Sequence, residues 1–287
     1  PTPDGSYGIG DTIVIETLFS EPVFVDGVPE IQLSSGESMG FASYVSGSGT
    51  ELLSFEYEIT EGDTSSDLVY SDTTALMLVG NSSLLDSVDN QAVVYLPESG
   101  SANALDANSD LVVDGFRPFV NEVYSDTSSG VFNEGDTIMI AVRFREPVYV
   151  DGSPQLSVDL LDSVRVLEYL VGDGTNTLWF RYVVLDGDNT GLMTLSSSDA
   201  LELNGGAIYD GVGNDGIVSV PAVGAMGSLS YTSSLNIDTV IPEADFVFGA
   251  YFYSNNSWES DASISGFSTD IMSEVALVEV QIKRPDD

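Results

Sequence analysis

Apolar and polar residues alternate along two stretches of the chain that lie 125 residues apart. One set of alternate positions stays apolar in both stretches, while the other set varies, as at Glu16 and Ala141. Alternation with a period of two predicts half-buried antiparallel strands. The positions predicted to face the interior are Ile13, Ile15, Thr17, Phe19, Leu53, Phe55, Tyr57 and Ile59, and in the second stretch Ile138, Ile140, Val142, Phe144, Leu178, Phe180, Tyr182 and Val184. Gly and Asp turns recur about every 8 to 12 residues, which is typical of a β-sandwich.

A long internal repeat organises the chain. The segment GDTIVIETLFSEPVFVDGVPEIQL, which begins at Gly10, returns as GDTIMIAVRFREPVYVDGSPQL from Gly135. The match continues to LVVDGFRP at 111–118 and LNIDTVIP at 235–242, so two copies of about 125 residues account for most of the chain. We expect a first β-sandwich repeat over 1–117 and a second over 118–241.

The two ends of the chain depart from this repeat. The second copy has FVNEVYSD ahead of its GDT and the first has only PTPDGSYGI, so we expect the first strand of repeat 1 to be missing. Residues 242–287 are expected to begin a third domain, although 46 residues hardly bury a core alone. Either the chain continues beyond Asp287, or these strands complete a neighbouring subunit. With no basic and apolar leader and no apolar run of roughly 18 residues, we expect a mature fragment or a piece of a longer protein.

The composition is strongly acidic, with 46 Asp and Glu against 7 Lys and Arg and a formal net charge of −39. Nucleic acid is therefore not an expected partner, because phosphate binding needs clustered Lys and Arg. Membrane insertion is not expected either. So much like charge destabilises a compact fold unless a divalent cation or high salt neutralises it. An acidic surface that only keeps the protein soluble in a salty habitat is the alternative, and it stays open.

Catalytic chemistry has little support in the sequence. The chain contains neither His nor Cys, so the commonest general base, the thiol nucleophile and the usual zinc ligands are missing. Paired carboxylates can cleave glycosides, but chance pairs are unavoidable among 46 acids. We therefore expect a protein that is not an enzyme.

The motifs GDT, SEPV, YVSGSGT, ALML and the closing IDTVIP together indicate a family. They resemble the tandem immunoglobulin-like or cadherin-like repeats of large bacterial and archaeal surface proteins of the adhesin type. The resemblance implies an all-β chain of tandem antiparallel immunoglobulin-like β-sandwich domains in an elongated array, with 242–287 as part of a third such domain. It further implies an extracellular or cell-surface stalk, surface-layer or filament subunit, stiffened by Ca²⁺ at domain junctions. Its partners would be neighbouring repeats or copies of itself, also as a polymer.

Acidic turns are the expected source of calcium ligands, because Ca²⁺ takes about six to eight oxygen atoms, mainly from carboxylates and carbonyls. An acid-Gly-Asp turn occurs in both copies, at 61–63 and 186–188. In a seven-stranded unit these turns fall at the pole near the exit linker. The expected groups are Asp11, Glu61, Asp63 and Asp67 with Asp110 and Asp114, and Asp136, Asp186 and Asp188 with Asp238. An EF-hand is excluded, because Ser197 stands at the position of its bidentate Glu and flanking helices are absent.

A second acidic pattern also occurs in both copies. Asp86, Asp89 and Asn90 correspond to Asp210 and Asn214, and we expect them to face the preceding linker from the opposite pole. Asp and Asn also form turns without any metal, by accepting hydrogen bonds from nearby backbone groups. Metal binding and turn formation both remain open for the two patterns.

Carbohydrate recognition is the alternative function. Exposed aromatic side chains beside carboxylates stack on sugars. Trp179 occupies an outward position where the first copy has Ser54, and Trp258 lies in the polar stretch SNNSWESD. A glycan-binding or host-surface-binding adhesin module would use these residues, whereas Trp179 packed against an adjacent chain or domain would have no such role.

Overall fold

The computed structural model describes residues 1–36, 39–127, 129–246 and 266–269, with the backbone alone from 243 onward. The regular secondary structure of these residues is nearly all β-strand, with one four-residue helix, α1 (Leu229–Thr232), and one 3₁₀ turn at Leu105–Ala107. The all-β class predicted from the alternation is therefore confirmed. Within the described residues, no helix is long and apolar enough to span a membrane.

The strands are short apart from two of 15 residues, β2 and β13. The first ten strands are β1 (Gly5–Tyr7), β2 (Thr12–Asp26), β3 (Glu30–Ser34), β4 (Met39–Ser46), β5 (Thr50–Glu58), β6 (Thr64–Ser65), β7 (Val69–Tyr70), β8 (Leu76–Met77), β9 (Ser83–Leu85) and β10 (Leu111–Asp114). The remaining strands are β11 (Val120–Ser125), β12 (Gly130–Phe132), β13 (Thr137–Asp151), β14 (Gln155–Leu160), β15 (Ser163–Val171), β16 (Thr175–Val183), β17 (Asn189–Thr190), β18 (Thr194–Leu195), β19 (Leu201–Glu202), β20 (Ala207–Tyr209), β21 (Leu235–Asp238), β22 (Glu243–Phe246) and β23 (Gly266–Thr269).

The chain forms two compact units, each built from three segments. The first unit contains Pro1–Phe119, Arg145–Asp151 and Ala207–Ile217. The second contains Val120–Phe144, Gly152–Gly206 and Val218–Asp287. The long strand β13 therefore contributes residues to both units.

The first unit contains a sheet of order β7-β3-β4-β5-β2-β9, with β8 also paired to β3, and a smaller sheet of order β1-β10-β6. β2 pairs with β5 from Thr12 to Leu18 and, after a register shift, again at Val23, and its last residues pair with β9. Alternate residues of these strands enter one core, in which Ile13, Leu53 and Phe55 are completely buried. The hydrophobic alternation thus identified the buried face of β5.

The second unit repeats this arrangement with one addition. Its larger sheet has the order β11-β13-β16-β15-β14-β18, with β19 on β14, and its smaller sheet has the order β12-β21-β17. Ile138, Ile140 and Phe180 are completely buried, as the alternation predicted. β22 and β23 form a separate antiparallel pair. Most of 242–287, where a partial third domain is expected, lies outside the described residues.

Strands β1 to β10 each have a counterpart 124 or 125 residues later, from β12 to β21, and β11, β22 and β23 are the described strands outside this correspondence. The hairpin that joins β4 to β5 is closed by the same glycine in both units. Gly47 and Gly172 have φ angles of 113° and 132°, and a Cβ atom there would lie 2.1 and 2.2 Å from the carbonyl oxygens of Leu52 and Thr177. No side chain fits at either position, so this part of the sequence repeat reflects backbone geometry.

Candidate metal centre

Three carboxylates of the first unit converge in one place. Asp114 ends β10, Glu146 lies on β13, and Asp210 follows β20 directly. One oxygen atom from each of the three lies within 4.8 Å of the other two. Among the described residues, this is the group of three or more acidic side chains that is close enough to share one ion.

The loop that begins at Asp210 is held by its own hydrogen bonds. One oxygen of the Asp210 carboxylate accepts the backbone N–H groups of Val212 and Asn214, both at 2.9 Å. The other oxygen accepts the side-chain amide of Asn214 at 2.7 Å. Asp210 and Asn214 are both buried, with 3% and 4% of their surfaces exposed. The Asp-x-x-x-Asn pattern therefore builds a rigid turn that fixes the Asp210 carboxylate.

Asn214 also connects this turn to two other segments of the first unit. Its amide nitrogen donates to the carbonyl oxygen of Asp114 at 2.8 Å and to that of Phe116 at 3.1 Å. Its amide oxygen accepts the backbone N–H of Ile9 at 2.7 Å. Asp114 in turn accepts the backbone N–H of Phe116 at 3.2 Å. The Asp210–Asn214 turn thus lies against the linker segment that follows β10.

The electrostatics of the group favour a cation. Burial raises the pKa of Glu146, the negative charges of Asp114 and Asp210 raise it further, and the neighbouring Arg145 opposes this only in part. Three carboxylate groups placed so closely repel one another when all are ionised. Oxygen atoms up to 4.8 Å apart fit around a Ca²⁺ ion, whose ligands lie at about 2.3 to 2.6 Å. The residues therefore fit a calcium ion whose coordination is completed by backbone or water oxygens.

The corresponding turn of the first repeat is built in the same way but stands apart from other acids. Asn90 donates its backbone N–H to Asp86 at 2.8 Å and its side-chain amide to Asp86 at 2.7 Å. These bonds, with that of Val88, hold the pKa of Asp86 below its ordinary value. Asn90 and Asp89 are exposed, and among the described residues Asp86 belongs to no group of three or more acids that is close enough to share an ion. The geometry here is that of a self-contained turn.

The acids expected to gather around Asp63 do not form a three-carboxylate group within the described part of the chain. Asp63 is 5% exposed and accepts hydrogen bonds from the backbone N–H and hydroxyl of Thr60 and from the hydroxyl of Ser35. Asp11 accepts the backbone N–H of Gly8. The other members are Glu61, which is exposed, Asp67, which is half-buried, and Asp110, which is exposed.

Asp188, the counterpart of Asp63, binds a cation from its own chain. Its carboxylate receives Nε of Arg165 at 2.8 Å and Nη2 at 2.6 Å, and it also accepts the Tyr182 hydroxyl and the Leu185 backbone N–H. Burial alone would raise the pKa of Asp188, but the bonds from Arg165, Tyr182 and Leu185 outweigh it and hold the pKa below its ordinary value. Arg165 thus takes the place where an ion was expected.

The remaining members of that second group lie separately. Asp136 accepts the backbone N–H of Asn133 at 2.8 Å and is exposed, as is Asp186. Asp238 is 7% exposed, and one of its oxygens accepts the backbone N–H of Val240. No group of three carboxylates includes them among the residues that the structure describes.

Trp179 packs within the second unit. Its ring meets that of Tyr124 edge to face, with centroids 5.9 Å apart, and the guanidinium of Arg143 lies 5.0 Å from the Tyr124 ring. Trp179 is half-buried in this arrangement. Trp258, the other residue considered for glycan binding, lies outside the described residues.

Sequence reasoning missed Glu146 as a member of the acidic group. Glu146 and its counterpart Glu21 occur in the matching strings REPV and SEPV, so an acid is kept at this strand position in both copies. The available signal was an acid that both copies keep at an outward strand position, although other outward positions differ between the copies.

Comparisons with models of known protein families and with curated proteins found no match to this chain.

Proposed function

We propose that the protein is a structural, non-enzymatic part of an extracellular surface protein, a stalk, surface-layer or filament subunit made of tandem immunoglobulin-like β-sandwiches and stiffened by calcium. The observation that carries the proposal is the convergence of Asp114, Glu146 and Asp210 in a chain of net charge −39. Asp114 comes from the first sequence repeat, and the two other acids come from the second. A bound ion would join these three segments, as calcium at repeat junctions is expected to do.

The composition of the site indicates a modest affinity. Three carboxylates that each offer one oxygen supply at most half of the roughly six to eight oxygen ligands of calcium, which suits extracellular modules with Kd values of about 10⁻⁴ to 10⁻³ M. Such an affinity suits an exterior that is rich in calcium. The packing of Trp179 against Tyr124 gives the glycan-binding alternative no specific support.

Thermal unfolding in calcium and in chelator, at matched ionic strength, tests the proposal. A ligand at ten to a hundred times its Kd stabilises the folded state by about 1.4 to 2.7 kcal/mol. We expect calcium to raise the Tm by roughly 5 °C. Magnesium and sodium at the same ionic strength should have a much smaller effect. If all three cations act alike, the acidic surface serves only as adaptation to salt.

The variant E146Q separates a specific site from general screening. Removal of this charge relieves repulsion from Asp114 and Asp210, so we expect the Tm in chelator to rise and the shift caused by calcium to fall by more than half. E21Q is the matched control, because Glu21 occupies the same repeat position but is exposed. Equal calcium shifts in both variants would contradict the assignment of this site.

A further inference from the structure

Among the described strands, the first part of β2 has a neighbour on one side only. Residues 12–18 of β2 pair with β5, and the strand that pairs with β2 on its other side, β9, begins at the position of Phe24. In the second unit, the equivalent stretch of β13 lies between β16 and β11. Of the strands described in the larger and smaller sheets of the second unit, β11 alone has no counterpart in the first unit. The first unit therefore has an open sheet edge at Ile15–Phe19.

Burial of the two equivalent stretches differs accordingly. Val142 and Phe144 of β13 are 0% and 1% exposed, whereas their counterparts Thr17 and Phe19 are only half-buried. Leu18 is 76% exposed. The hydroxyl oxygen of Thr17 is buried without a hydrogen-bond partner. An apolar sheet edge of this kind pairs readily with another strand.

A cavity of about 720 Å³ runs along this edge. Its walls include β2 from Val14 to Ser20 on one side and Asn103, Asn108 and Ser109, beside the 3₁₀ turn, on the other. In the second unit, β11 fills the corresponding space. The residues that correspond to Asn103, Asn108 and Ser109 in the second unit are Gly227, Thr232 and Ser233. Each of them hydrogen-bonds directly to β11, through the Gly227 carbonyl and the hydroxyls of Thr232 and Ser233.

A hydrogen bond that occurs at equivalent positions in both units indicates where a strand would enter the cavity. The hydroxyl of Thr2 accepts the backbone N–H of Val14 at 2.6 Å, and the hydroxyl of Thr127 accepts that of Met139 at 3.1 Å. Thr2 and Thr127 are 125 residues apart in sequence, as are Val14 and Met139. β11 ends at Ser125, two residues before Thr127. A strand in the same register on β2 would end two residues before Thr2, which is directly ahead of Pro1. Pro1 and Thr2 already line the cavity.

We infer that the edge Ile15–Phe19 is a strand-acceptor site, and that its occupant is an extended polypeptide segment joined directly to Pro1. The occupant has the alternation of β11, with apolar residues opposite Thr17 and Phe19. It differs from β11 at one position. In the second unit Glu122 of β11 lies opposite Arg143 and pairs with it, whereas Leu18 stands at the Arg143 position in the first unit. The residue of the occupant opposite Leu18 is therefore apolar rather than acidic. This inference does not depend on calcium.

The test adds FVNEVYS, residues 119–125, ahead of Pro1 in the full chain. We expect the Tm in chelator to rise by roughly 5 °C or more, and the amide hydrogens of residues 15–19 to exchange at least about tenfold more slowly. Replacing the Glu of the added segment by Val should increase both effects, because that residue lies opposite Leu18. An extension of seven alternating Gly and Ser residues is the control. Like the FVNEVYS extension, it converts the Pro1 amine, which lies 3.4 Å from Glu16, into an amide.

Two results would overturn the inference. If FVNEVYS and the Gly-Ser extension give the same Tm and the same exchange rates, the cavity does not accept a strand. If the unextended protein forms dimers in which the amides of residues 15–19 are already protected, the donor is a second copy and not a segment joined to Pro1. Size-exclusion chromatography over a range of protein concentrations distinguishes the second result. Because all measurements are made in chelator, neither result bears on the calcium site.

Discussion

Replacing Asn214 by Ala should lower the free energy of unfolding of the first unit by about 3 kcal/mol. The buried side chain of Asn214 makes four hydrogen bonds, and two backbone carbonyls and one backbone N–H in partly buried bonds lose this partner in the variant. Unsatisfied buried polar groups cost about 1 to 3 kcal/mol each, less where water can enter. We expect the Tm of the first unit to fall by roughly 10 °C, measured by differential scanning calorimetry in chelator.

N90A is the matched control for this prediction. Asn90 occupies the same position in the first repeat and makes the same bonds to Asp86, but it is exposed, and its side chain bonds to no residue outside its turn within the described part of the chain. Surface substitutions of this kind usually change stability by less than about 0.5 kcal/mol. Comparable losses in N90A and N214A would mean that the contacts with Ile9, Asp114 and Phe116 contribute little.

The variant R165M should destabilise the second unit by about 3 kcal/mol at neutral pH. It leaves the Asp188 carboxylate, which is 0% exposed, without its cation. Removing the cationic partner of a buried carboxylate is costly because the remaining charge stays desolvated. Thermal unfolding followed by near-ultraviolet circular dichroism, which reports on Tyr182 beside Asp188, measures the change.

The double variant R165M/D188N should be more stable than R165M, since it removes the stranded charge. R143M is the control, because Arg143 pairs with Glu122 through side chains that are both partly exposed, and solvent-exposed pairs contribute about 0 to 1 kcal/mol. In the unchanged protein the pKa of Asp188 is lowered, so the stabilisation is present above the ordinary Asp pKa and is lost as the pH falls through the lowered value. The deficit of R165M should therefore shrink in acid. A deficit that does not depend on pH would point to lost packing instead.

The strand content and the buried faces could be predicted because they depend on local alternation. Leu53, Phe55, Tyr57 and Ile59 were assigned to the interior from spacing alone, and all four are buried. Thr17 and Phe19 follow the same alternation but are only half-buried. Their burial depends on a neighbouring strand, which the alternation within β2 does not report.

The acidic sites were harder to predict because they depend on contacts between distant segments. Asp63 and Asp188 occupy equivalent turns, yet Asp188 is paired with Arg165 while Gly40 stands at the Arg165 position in the first repeat. Turn composition carries no information about that partner, which reaches Asp188 from β15. Glu146 was missed for the same reason, since its approach to Asp114 depends on segments that are far apart in the sequence.

The two segments that the second repeat contributes to the first unit have a consequence for cleavage by proteases. A single cut between the repeats, after Arg117, would remove Arg145–Asp151 and Ala207–Ile217 from the unit to which they belong. The N-terminal product would then lose Glu146, Asp210 and Asn214 together with the strand β20. The first unit therefore needs both sequence repeats, and cleavage in the linker should leave an N-terminal fragment that is less resistant to further digestion than the intact chain.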